Sequence, residues 1–295
     1  MQREITQEMA KDCLPRREAD ANKGSFGSVL AAAGSMAYRG AAALCTEGAL
    51  RAGAGLVYLA SVEPVVQMVL TRTPECCACG CRTAANGGIH PQDAGALRSW
   101  FDGKNTVLLA GPGLGESAAP VCNALLGKKA PWSAAVLDAD ALNALAAGKI
   151  KSPLPDQTVI TPHPGEAARL LDCTVGEVQA DREAAARRLA GMYHCIAVLK
   201  GRGTLIATPG GEVYRNPTGS AGLAKGGSGD ILAGLLSGLL AAGLKQGRTA
   251  EDAAIAAVWL HGAAGDRCAK RLGMAAMLPH DIFADLGAIF AELER

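Results

Sequence analysis

The stretch "NPTGSAGLAKGGSGDIL", residues 216–232, contains five glycines and a single carboxylate, Asp230. The residues that follow it predict a helix. Because glycine has no side chain, the backbone amides of this stretch can approach a ligand closely, and amides that are free at a helix start favour an anion. Asp230 is therefore either a cap that satisfies those amides or a base that faces a bound anion. The stretch alone does not decide between the two.

Outward from this stretch, short apolar runs alternate with helical runs along the chain. Strands are predicted at 28–35 and 56–61, at the start of 106–115, 134–145 and 158–171, and at 195–208 and 211–216, with a hairpin around "PGG". Helices are predicted at 39–55, 65–71 and 176–191, at the end of 134–145 and 158–171, and over the chain from residue 230 onward. Continuous apolar strands that alternate with helices predict an α/β fold, with a mostly parallel sheet covered on both faces.

Polar and glycine-rich segments follow the predicted strands, at the end where open α/β sheets bind ligands. They are Ser35 and residues 111–115, 138–143, 163–166, 200–204 and 226–230. Their shared position is stronger evidence than any one of them, since "GPGLG" and "DADALN" are each common in ordinary turns and caps. The sequence therefore predicts a binding site at the carboxyl edge of the sheet.

Composition argues against several classes of protein. Hydrophobic residues make up 49% of the chain, and the formal net charge is +1, which gives no electrostatic case for a nucleic acid or an anionic membrane. The longest apolar run, 231–244, is shorter than the roughly 20 residues of a membrane-spanning helix, and the amino terminus has no signal-peptide pattern. We expect a cytoplasmic protein with no nucleic-acid or membrane partner.

Four of the ten cysteines cluster in "ECCACGC". Zinc sites usually contain two separated pairs of ligands, whereas these four are crowded and have no second cluster. In an extended strand, Cys77, Cys79 and Cys81 face one side and Cys76 faces the other. The cluster therefore favours small hydrophobic residues in a strand over a metal site.

With these segments in order, the chain resembles the ADP/ATP-dependent NAD(P)H-hydrate dehydratases of the ribokinase-like superfamily, from residue 23 to about residue 286. The motifs are "KGSFGSVLAAAGS", "GAAALCTEGALRAGAGLV", "AGPGLG", "LDADALN", "TPHPGE", "KGRGT" and "NPTGSAGLAKGGSGDILAG". The resemblance implies a ribokinase-like three-layer α/β/α sandwich with a central, mostly parallel sheet. It also implies cofactor repair: the S form of hydrated NADH or NADPH is phosphorylated on its ring hydroxyl by ADP or ATP, and phosphate is then lost.

The family pattern also implies roles for individual residues. Lys200, Gly201, Arg202, Gly203 and Thr204 would line the nucleotide site beside Gly229. The hydrated cofactor would contact Ala41, Gly113, His163 and Asp230, and Asp230 would be the catalytic base. The anion hole would consist of Gly226, Gly227, Ser228 and Gly229. The resemblance implies Mg²⁺ between the phosphates, although the sequence has no dedicated metal ligands. ADP is the expected donor.

Several residues also have a purely structural interpretation. His163 lies between two prolines and suits a turn, and Lys200 at a strand end could simply extend into solvent. For three residues, capping of the following helix is favoured over chemistry: Asp138, Asp140 and Asn143. Trp259 and His261 lie in an apolar helix and are expected in the core or in an interface.

Two other functions stay open at this point: a ribokinase-like kinase for a vitamin precursor or a sugar, and a nucleotide sensor or scaffold without turnover. "TPHPGE" favours the dehydratase over the kinase, and an intact "GGSGD" argues against a sensor. Residues 1–295 are predicted to form one dehydratase domain with an N-terminal extension or helix at 1–20. Any epimerase partner would be a separate chain, and the family implies a homo-oligomer, a tetramer.

Overall fold

Ten strands form one sheet in the computed structural model, which describes residues 2–101, 105–127 and 129–294. Their bounds are β1 Gln2–Glu4, β2 Ser28–Ala32, β3 Leu56–Val62, β4 Cys77–Cys81, β5 Thr106–Ala110, β6 Ala134–Leu137, β7 Thr158–Ile160, β8 Ile196–Leu199, β9 Leu205–Ala207 and β10 Val213–Arg215. The order across the sheet is β1-β10-β9-β8-β7-β6-β5-β2-β3-β4. Strands β2 to β8 are parallel, so their carboxyl ends lie along one edge.

Helices cover both faces of this sheet. Within the described residues they are α1 Gln7–Asp12, α2 Arg39–Arg51, α3 Glu63–Arg72, α4 Pro91–Ala96, α5 Ala118–Leu126, α6 Asp140–Ala146, α7 Pro164–Leu170, α8 Val175–Ala180, α9 Arg182–Tyr193, α10 Ser228–Leu244, α11 Ala250–Leu272 and α12 Ile282–Leu293. None of them is both long enough and apolar enough to cross a membrane.

Alternate residues of the buried strands enter two separate cores. In β2, Val29 and Ala31 pack in one core with the side chains of α2, α10 and α11, whereas Leu30 and Ala32 pack in the other with α5, α7 and α9. Because successive side chains of a strand point to opposite faces, continuous apolar strands require helices on both sides. The predicted α/β fold with a central, mostly parallel sheet is confirmed.

The structure divides two predicted elements. The range 195–208, given as strand although it contains the glycine-rich segment 200–204, forms two antiparallel strands, β8 and β9, with residues 200–204 as the turn between them. The predicted helix 176–191 is broken at Asp181, whose side chain accepts a hydrogen bond from the amide of Ala184 and so starts α9. The glycines at 201 and 203 mark the first break in the sequence, whereas apolar periodicity does not reveal the second one at Asp181.

Residues 2–12 contain a strand as well as a helix. β1 pairs in parallel with β10 at one edge of the sheet, and its three residues are exposed. An exposed polar strand has no apolar alternation, which is why only an extension or helix was predicted for this segment.

Helices α2 and α10 pack with their backbones in close approach. A Cβ added at Gly238 of α10 would overlap the carbonyl oxygen of Ala49, and one added at Gly234 would overlap that of Cys45. The glycines therefore allow the two helix backbones to touch. Because residues 226–230 lead directly into α10, this contact fixes the start of that helix relative to the sheet.

We expect Gly238→Ala to lower the free energy of unfolding by about 2 kcal/mol or more, since an extra methyl group in a packed interface forces the backbones apart. Urea denaturation followed by circular dichroism measures this change. Gly191→Ala in α9 is the matched control, because a Cβ there meets nothing within 4 Å. The control should gain up to about 1 kcal/mol from helix propensity. A Gly238→Ala protein as stable as the wild type would contradict the close packing of α2 and α10.

Candidate active site

The carboxyl ends of β6, β7 and β8 bring three charged side chains together. Asp138 follows β6, Glu166 lies in the first turn of α7 after β7, and Lys200 follows β8. Lys200 Nζ lies 2.8 Å from Asp138 Oδ1 and 3.8 Å from Glu166 Oε2. Thr161 Oγ1 donates to the same Asp138 oxygen at 2.7 Å. With 18% of its side chain exposed, Lys200 faces this cluster, and the interpretation that it simply extends into solvent is wrong.

The glycine-rich stretch ends at the start of α10, next to the same cluster. Gly227 precedes the helix with φ +101°, in the left-handed region that favours glycine. A Cβ added at Gly229 would lie 3.3 Å from Lys200 Nζ and 3.9 Å from Asp138 Oδ2. Within the described chain, the amides of four residues donate no hydrogen bond: Gly226, Gly227, Gly229 and Asp230. This arrangement can bind an anion.

Asp230 lies in the first turn of α10 but does not cap it. The residue before the helix makes no side-chain cap bond, and the Asp230 carboxylate accepts no hydrogen bond from the described residues. Burial raises the pKa of Asp230 to about 6; the charges of Asp138 and Asp140 add to the increase, and that of Lys200 opposes it. The sequence alone gives only the ordinary value, near 3.9. A carboxylate with this pKa is a stronger base than the sequence predicts.

The electrostatic contribution to the raised pKa of Asp230 comes from an excess of carboxylates around one ammonium. Burial alone would lower the pKa of Lys200, but Asp138 and Glu166 outweigh it and the pKa lies above its ordinary value. Burial and the charge of Asp138 raise the pKa of Glu166, and Lys200 opposes that increase. Lys200 is therefore charged at neutral pH, close to the free amides of α10.

His163 begins α7 and contributes to a capping box. Its Nδ1 accepts from the amides of Gly165 at 3.0 Å and Glu166 at 3.3 Å, and Glu166 Oε2 accepts from the His163 amide at 2.8 Å. Burial, followed by the charge of Lys200, lowers the pKa of His163. Because Nδ1 is an acceptor, the proton of the neutral ring belongs on Nε2, which lies 3.4 Å from Glu166 Oε1. Half of the side chain is exposed, so it can also face a ligand.

Ala41 and Gly113, which the family pattern assigns to the substrate, lie side by side. A Cβ added at Gly113, which has φ +64°, would lie 3.0 Å from Ala41 Cβ and 2.8 Å from Tyr38 Cβ. Gly113 belongs to the loop after β5, and Ala41 to the first turn of α2. The loop after β5 is held by Asp140, whose Oδ2 accepts from the Gly115 amide at 2.8 Å.

The capping roles predicted for three residues are wrong. Ala139 precedes α6, and that helix has no side-chain cap bond. Asp138 pairs with Lys200 instead, and Asp140 binds the loop after β5. Asn143 lies inside α6, where its Oδ1 accepts from Arg169 Nε at 3.0 Å. The carboxylates of Asp138 and Asp140 thus bind distant partners instead of the local backbone amides, and Asn143 lies too far into the helix to cap its start.

Helix α11 holds the long loop before α10. His261, buried as predicted, lies with its Nε2 3.3 Å from Ser228 Oγ, and burial lowers its pKa to about 4. Thr218 Oγ1 donates to the carbonyl of Trp259 at 3.1 Å, and the Gly219 amide donates to Asp266 Oδ2 at 2.9 Å. Trp259 and His261 therefore lie in the core, and His261 also contacts a residue of the proposed anion hole.

The cysteine cluster lies at the far edge of the sheet from β1. Cys77–Cys81 form β4; Cys79 and Cys81 enter one core, and Cys76 enters the other. The predicted strand is confirmed, as are the opposite faces of Cys76 and of Cys79 and Cys81, whereas Cys77 is only half-buried and enters neither core. Among the residues that the structure describes, no group of three or more His, Cys, Asp or Glu is arranged to hold a metal ion.

Two residues around Asp138 and Lys200 were not predicted from the sequence as part of the site. Thr161 was overlooked although it precedes "PHPGE" at the end of β7. Arg182, the first residue of α9, donates to the carbonyl oxygens of the turn at 200–204. No local signal marks Arg182, because its partners lie 17 to 20 positions away in the chain.

The fold is ribokinase-like, since the chain superposes on a ribokinase-like superfamily protein of Enterococcus faecalis with a TM-score of 0.83 and 26% identity, over 100% of this chain and 97% of that one. The sequence profile described as NAD(P)H-hydrate dehydratase matches residues 29–287. The chain therefore belongs to the NAD(P)H-hydrate dehydratase family.

Individual relatives agree with this assignment. The ADP-dependent (S)-NAD(P)H-hydrate dehydratase of Neisseria meningitidis is 38% identical over 89% of this chain and 84% of its own length. The bifunctional NAD(P)H-hydrate repair enzyme of Moorella thermoacetica is 39% identical over 99% of this chain but only 54% of its own length. The chain spans about half the length of several such bifunctional relatives.

The chain is also similar in structure to a solved relative. The ADP/ATP-dependent NAD(P)H-hydrate dehydratase of Bacillus subtilis, co-crystallised with ATP and Mg²⁺, superposes with a TM-score of 0.84. It is 30% identical, and the match covers 99% of both chains.

The raised pKa of Asp230 predicts a stability effect that is independent of any reaction. Between about pH 4 and pH 6 the folded protein retains a proton that the unfolded chain releases, so stability falls as pH rises through this window. At pH 8 the ionised carboxylate should cost on the order of 2–3 kcal/mol. We expect Asp230→Asn to raise Tm at pH 8, and the gain to shrink towards pH 4.

Thermal unfolding of both proteins between pH 4 and pH 8 measures this effect. Asp156→Asn is the matched control, since Asp156 is exposed and the same charge is removed. Its Tm should follow the wild type at every pH. If Asp230→Asn also follows the wild type, Asp230 has no raised pKa.

Proposed function

We propose that this chain catalyses the nucleotide-dependent dehydration of the S form of hydrated NADH and NADPH. The observation that carries the proposal is the Asp230 carboxylate, which has a pKa of about 6 and accepts no hydrogen bond from the described residues. The free amides of Gly226, Gly227 and Gly229 lie in the same segment, and the charge of Lys200 acts on the carboxylate. Family membership supplies the reaction to which this base, anion site and cation belong.

In this proposal the nucleotide lies along residues 200–204 and Gly229, and the hydrated nicotinamide ring faces Ala41, Gly113, His163 and Asp230. ADP is the proposed donor, as in the name of the Neisseria meningitidis relative, whereas the Bacillus subtilis structure was obtained with ATP. The proximity of Gly229 and Lys200 supports this arrangement: a Cβ added at Gly229 would lie 3.3 Å from Lys200 Nζ, so the two nucleotide-site segments are adjacent.

Mg²⁺ is proposed to accompany the nucleotide. Magnesium usually takes one or two protein carboxylates and completes its shell with phosphates and water. Asp138 and Glu166 fit this pattern: both are buried carboxylates on either side of Lys200, and Asp138 Oδ2 faces Gly229. When bound, Mg²⁺ would neutralise phosphate charge, and these two residues would hold it.

The proposed reaction needs the ring hydroxyl to become a good leaving group. The hydroxyl oxygen attacks the terminal phosphorus of ADP, the bond to the bridging oxygen breaks, and AMP leaves. Asp230 takes the hydroxyl proton. Lys200 and the free amides at the start of α10 neutralise the charge on the transferring phosphoryl group, which is where enzymes of phosphoryl transfer gain most of their rate. The C–O bond then breaks, phosphate leaves and a ring proton is lost, which restores the double bond.

The domain organisation, location, oligomeric state and partner are part of the same proposal. Residues 1–295 are proposed to form one dehydratase domain, acting in the cytoplasm as a homotetramer. A separate epimerase chain would be the partner that supplies the S form. Sedimentation of the purified protein tests the tetramer.

The decisive experiment incubates the protein with acid-hydrated NADH, ADP and Mg²⁺. We expect absorbance of the restored dihydronicotinamide to appear together with one AMP and one phosphate per NADH. A kinase would give a stable phosphorylated product with no return of absorbance, and a sensor would give neither. Steady-state kinetics with ATP in place of ADP test which nucleotide is the preferred phosphoryl donor. A higher kcat/KM for ATP would contradict the proposal that ADP is preferred.

The variant Asp230→Asn tests the role of Asp230 as a base separately from any structural role. The amide has nearly the same shape but cannot accept the proton at neutral pH, so we expect kcat to fall roughly 10²–10⁴-fold. Nucleotide affinity should change little or improve, since a negative charge near the phosphates is removed. In the wild type, kcat/KM should rise with pH and level off above about pH 6. Near-normal turnover by Asp230→Asn would rule out its role as base.

His163 can be tested separately from its capping role. Asparagine is a good helix cap, so His163→Asn removes the imidazole and retains the cap, whereas His163→Ala removes both. If the ring contacts the substrate, both variants should raise KM for the hydrated cofactor and leave KM for the nucleotide unchanged. His163→Ala alone should also lose about 1 kcal/mol of stability. A normal KM in His163→Asn would show that His163 is only a turn residue.

A further inference from the structure

The turn between β8 and β9 is held from behind by one arginine. Arg182 Nη1 donates to the carbonyl oxygen of Arg202 at 3.2 Å, and Nη2 donates to those of Leu199 at 3.1 Å and Lys200 at 3.3 Å. Thr204 Oγ1 donates to the remaining carbonyl, that of Gly201, at 2.9 Å. All four carbonyls from residue 199 to 202 are therefore bound on the protein side.

The amides of the same turn have no such partners. Within the described residues, the N–H groups of Gly201, Arg202 and Gly203 donate no hydrogen bond. When the carbonyls of a turn point inward, the amides between them point away, and successive free amides form a concave site for an anion. The guanidinium therefore determines which side of the turn faces the proposed nucleotide.

The absence of a side chain at Gly201 leaves room for the Arg182 guanidinium. Gly201 has φ +140°, and a Cβ there would lie 2.7 Å from Arg182 Nη1. The guanidinium occupies the space that any side chain at position 201 would need. The backbone conformation favours glycine at this position, and a side chain there would have to displace the guanidinium from the turn.

The guanidinium makes no ion pair within the described part of the chain. Its Nε is buried without a hydrogen-bond partner, and its other donors all bind the turn. A half-buried cation without a carboxylate partner is costly, so a surface ion pair does not account for this residue. Its hydrogen bonds to three carbonyl oxygens account for its position instead, because together they hold the turn in one conformation.

The geometry points to Arg182 as a positioning residue for the nucleotide: it fixes residues 200–204 so that their free amides and Lys200 face the phosphates. This inference rests on the proposed function, which places the nucleotide at this turn. Arg182 itself lies behind the turn and is not expected to touch the ligand.

Arg187 provides a matched control on the same helix. Its Nη1 donates to the carbonyl oxygen of Gly211 in the turn between β9 and β10, and its Nη2 donates to Glu183 Oε1 at 2.8 Å. It is an arginine of α9 that holds a β-turn, as Arg182 does, but the turn it holds contains none of the proposed site residues.

The test compares ADP binding, measured by calorimetry with MgCl₂ present, in the wild type and in three variants. We expect Arg182→Gln to raise Kd for ADP roughly tenfold or more. Arg182→Lys should be intermediate, because an ammonium cannot reach three carbonyls with the geometry of a guanidinium. Arg187→Gln should stay within about twofold of the wild type. Circular dichroism confirms folding, and Arg182→Lys keeps the test valid if Arg182→Gln does not fold.

Kinetics separate positioning from general destabilisation. In Arg182→Gln, KM for ADP should rise, while kcat at saturating ADP and KM for the hydrated cofactor stay within about twofold. Normal ADP affinity in Arg182→Gln, or equal losses in Arg182→Gln and Arg187→Gln, would overturn the inference alone. ADP binding without dehydration would overturn the proposed reaction and leave the inference standing. Absence of ADP binding in the wild type would overturn both.

Discussion

The ion pair between Lys200 and Asp138, 2.8 Å long, joins the ends of two strands that are two positions apart in the sheet. It forms because a mostly parallel sheet brings the residues after β6 and β8 to one edge. Three carboxylates, Asp138, Glu166 and Asp230, act on this one ammonium, so their mutual repulsion is only partly compensated. The pKa values of Glu166 and Asp230 rise for this reason as well as through burial. The basicity of Asp230 is thus a property of the whole strand edge.

The same charge balance bears on the proposed ligand. A nucleotide brings further negative charge to a place that already has more carboxylates than cations. Free amides supply partial positive charge, but they do not supply a full one. A divalent ion that arrives with the phosphates would complete the balance, which is why the proposal includes Mg²⁺ although no group of described residues forms a dedicated metal site.

The sequence was sufficient for the features that depend on strand ends. Apolar runs locate the strands, the residue after each run lies at the edge, and so Asp138, His163 and Lys200 were expected near one another, as the structure shows. The motifs implied roles for Ala41 and Gly113, and these residues do lie together. The predictions that failed concern contacts between residues that are far apart in the sequence. Local propensity favoured Asp138 as a cap, but a lysine 62 positions later competes for its carboxylate.

Arg182 and the pKa of Asp230 could not be predicted for the same physical reason. A guanidinium on α9 binds the turn at 200–204 only once β8 has placed that turn beside it, and burial of Asp230 exists only once α10 has packed on α2. Periodicity and propensity describe a segment and its immediate neighbours, whereas these properties arise between segments.

Two glycine-containing segments, 200–204 and 226–230, meet at Lys200, and both leave amides without partners. Such amides are normally satisfied by the protein itself. At 200–204 the carbonyls are bound by Arg182 and Thr204, and at the start of α10 the one acid present, Asp230, leaves the amides free instead of capping them. Capping by Asp230 would stabilise the helix, and ionisation at neutral pH destabilises the fold, so stability does not explain this residue. Free donors beside an unpaired base are the expected cost of a site built for an anion that is not part of the protein.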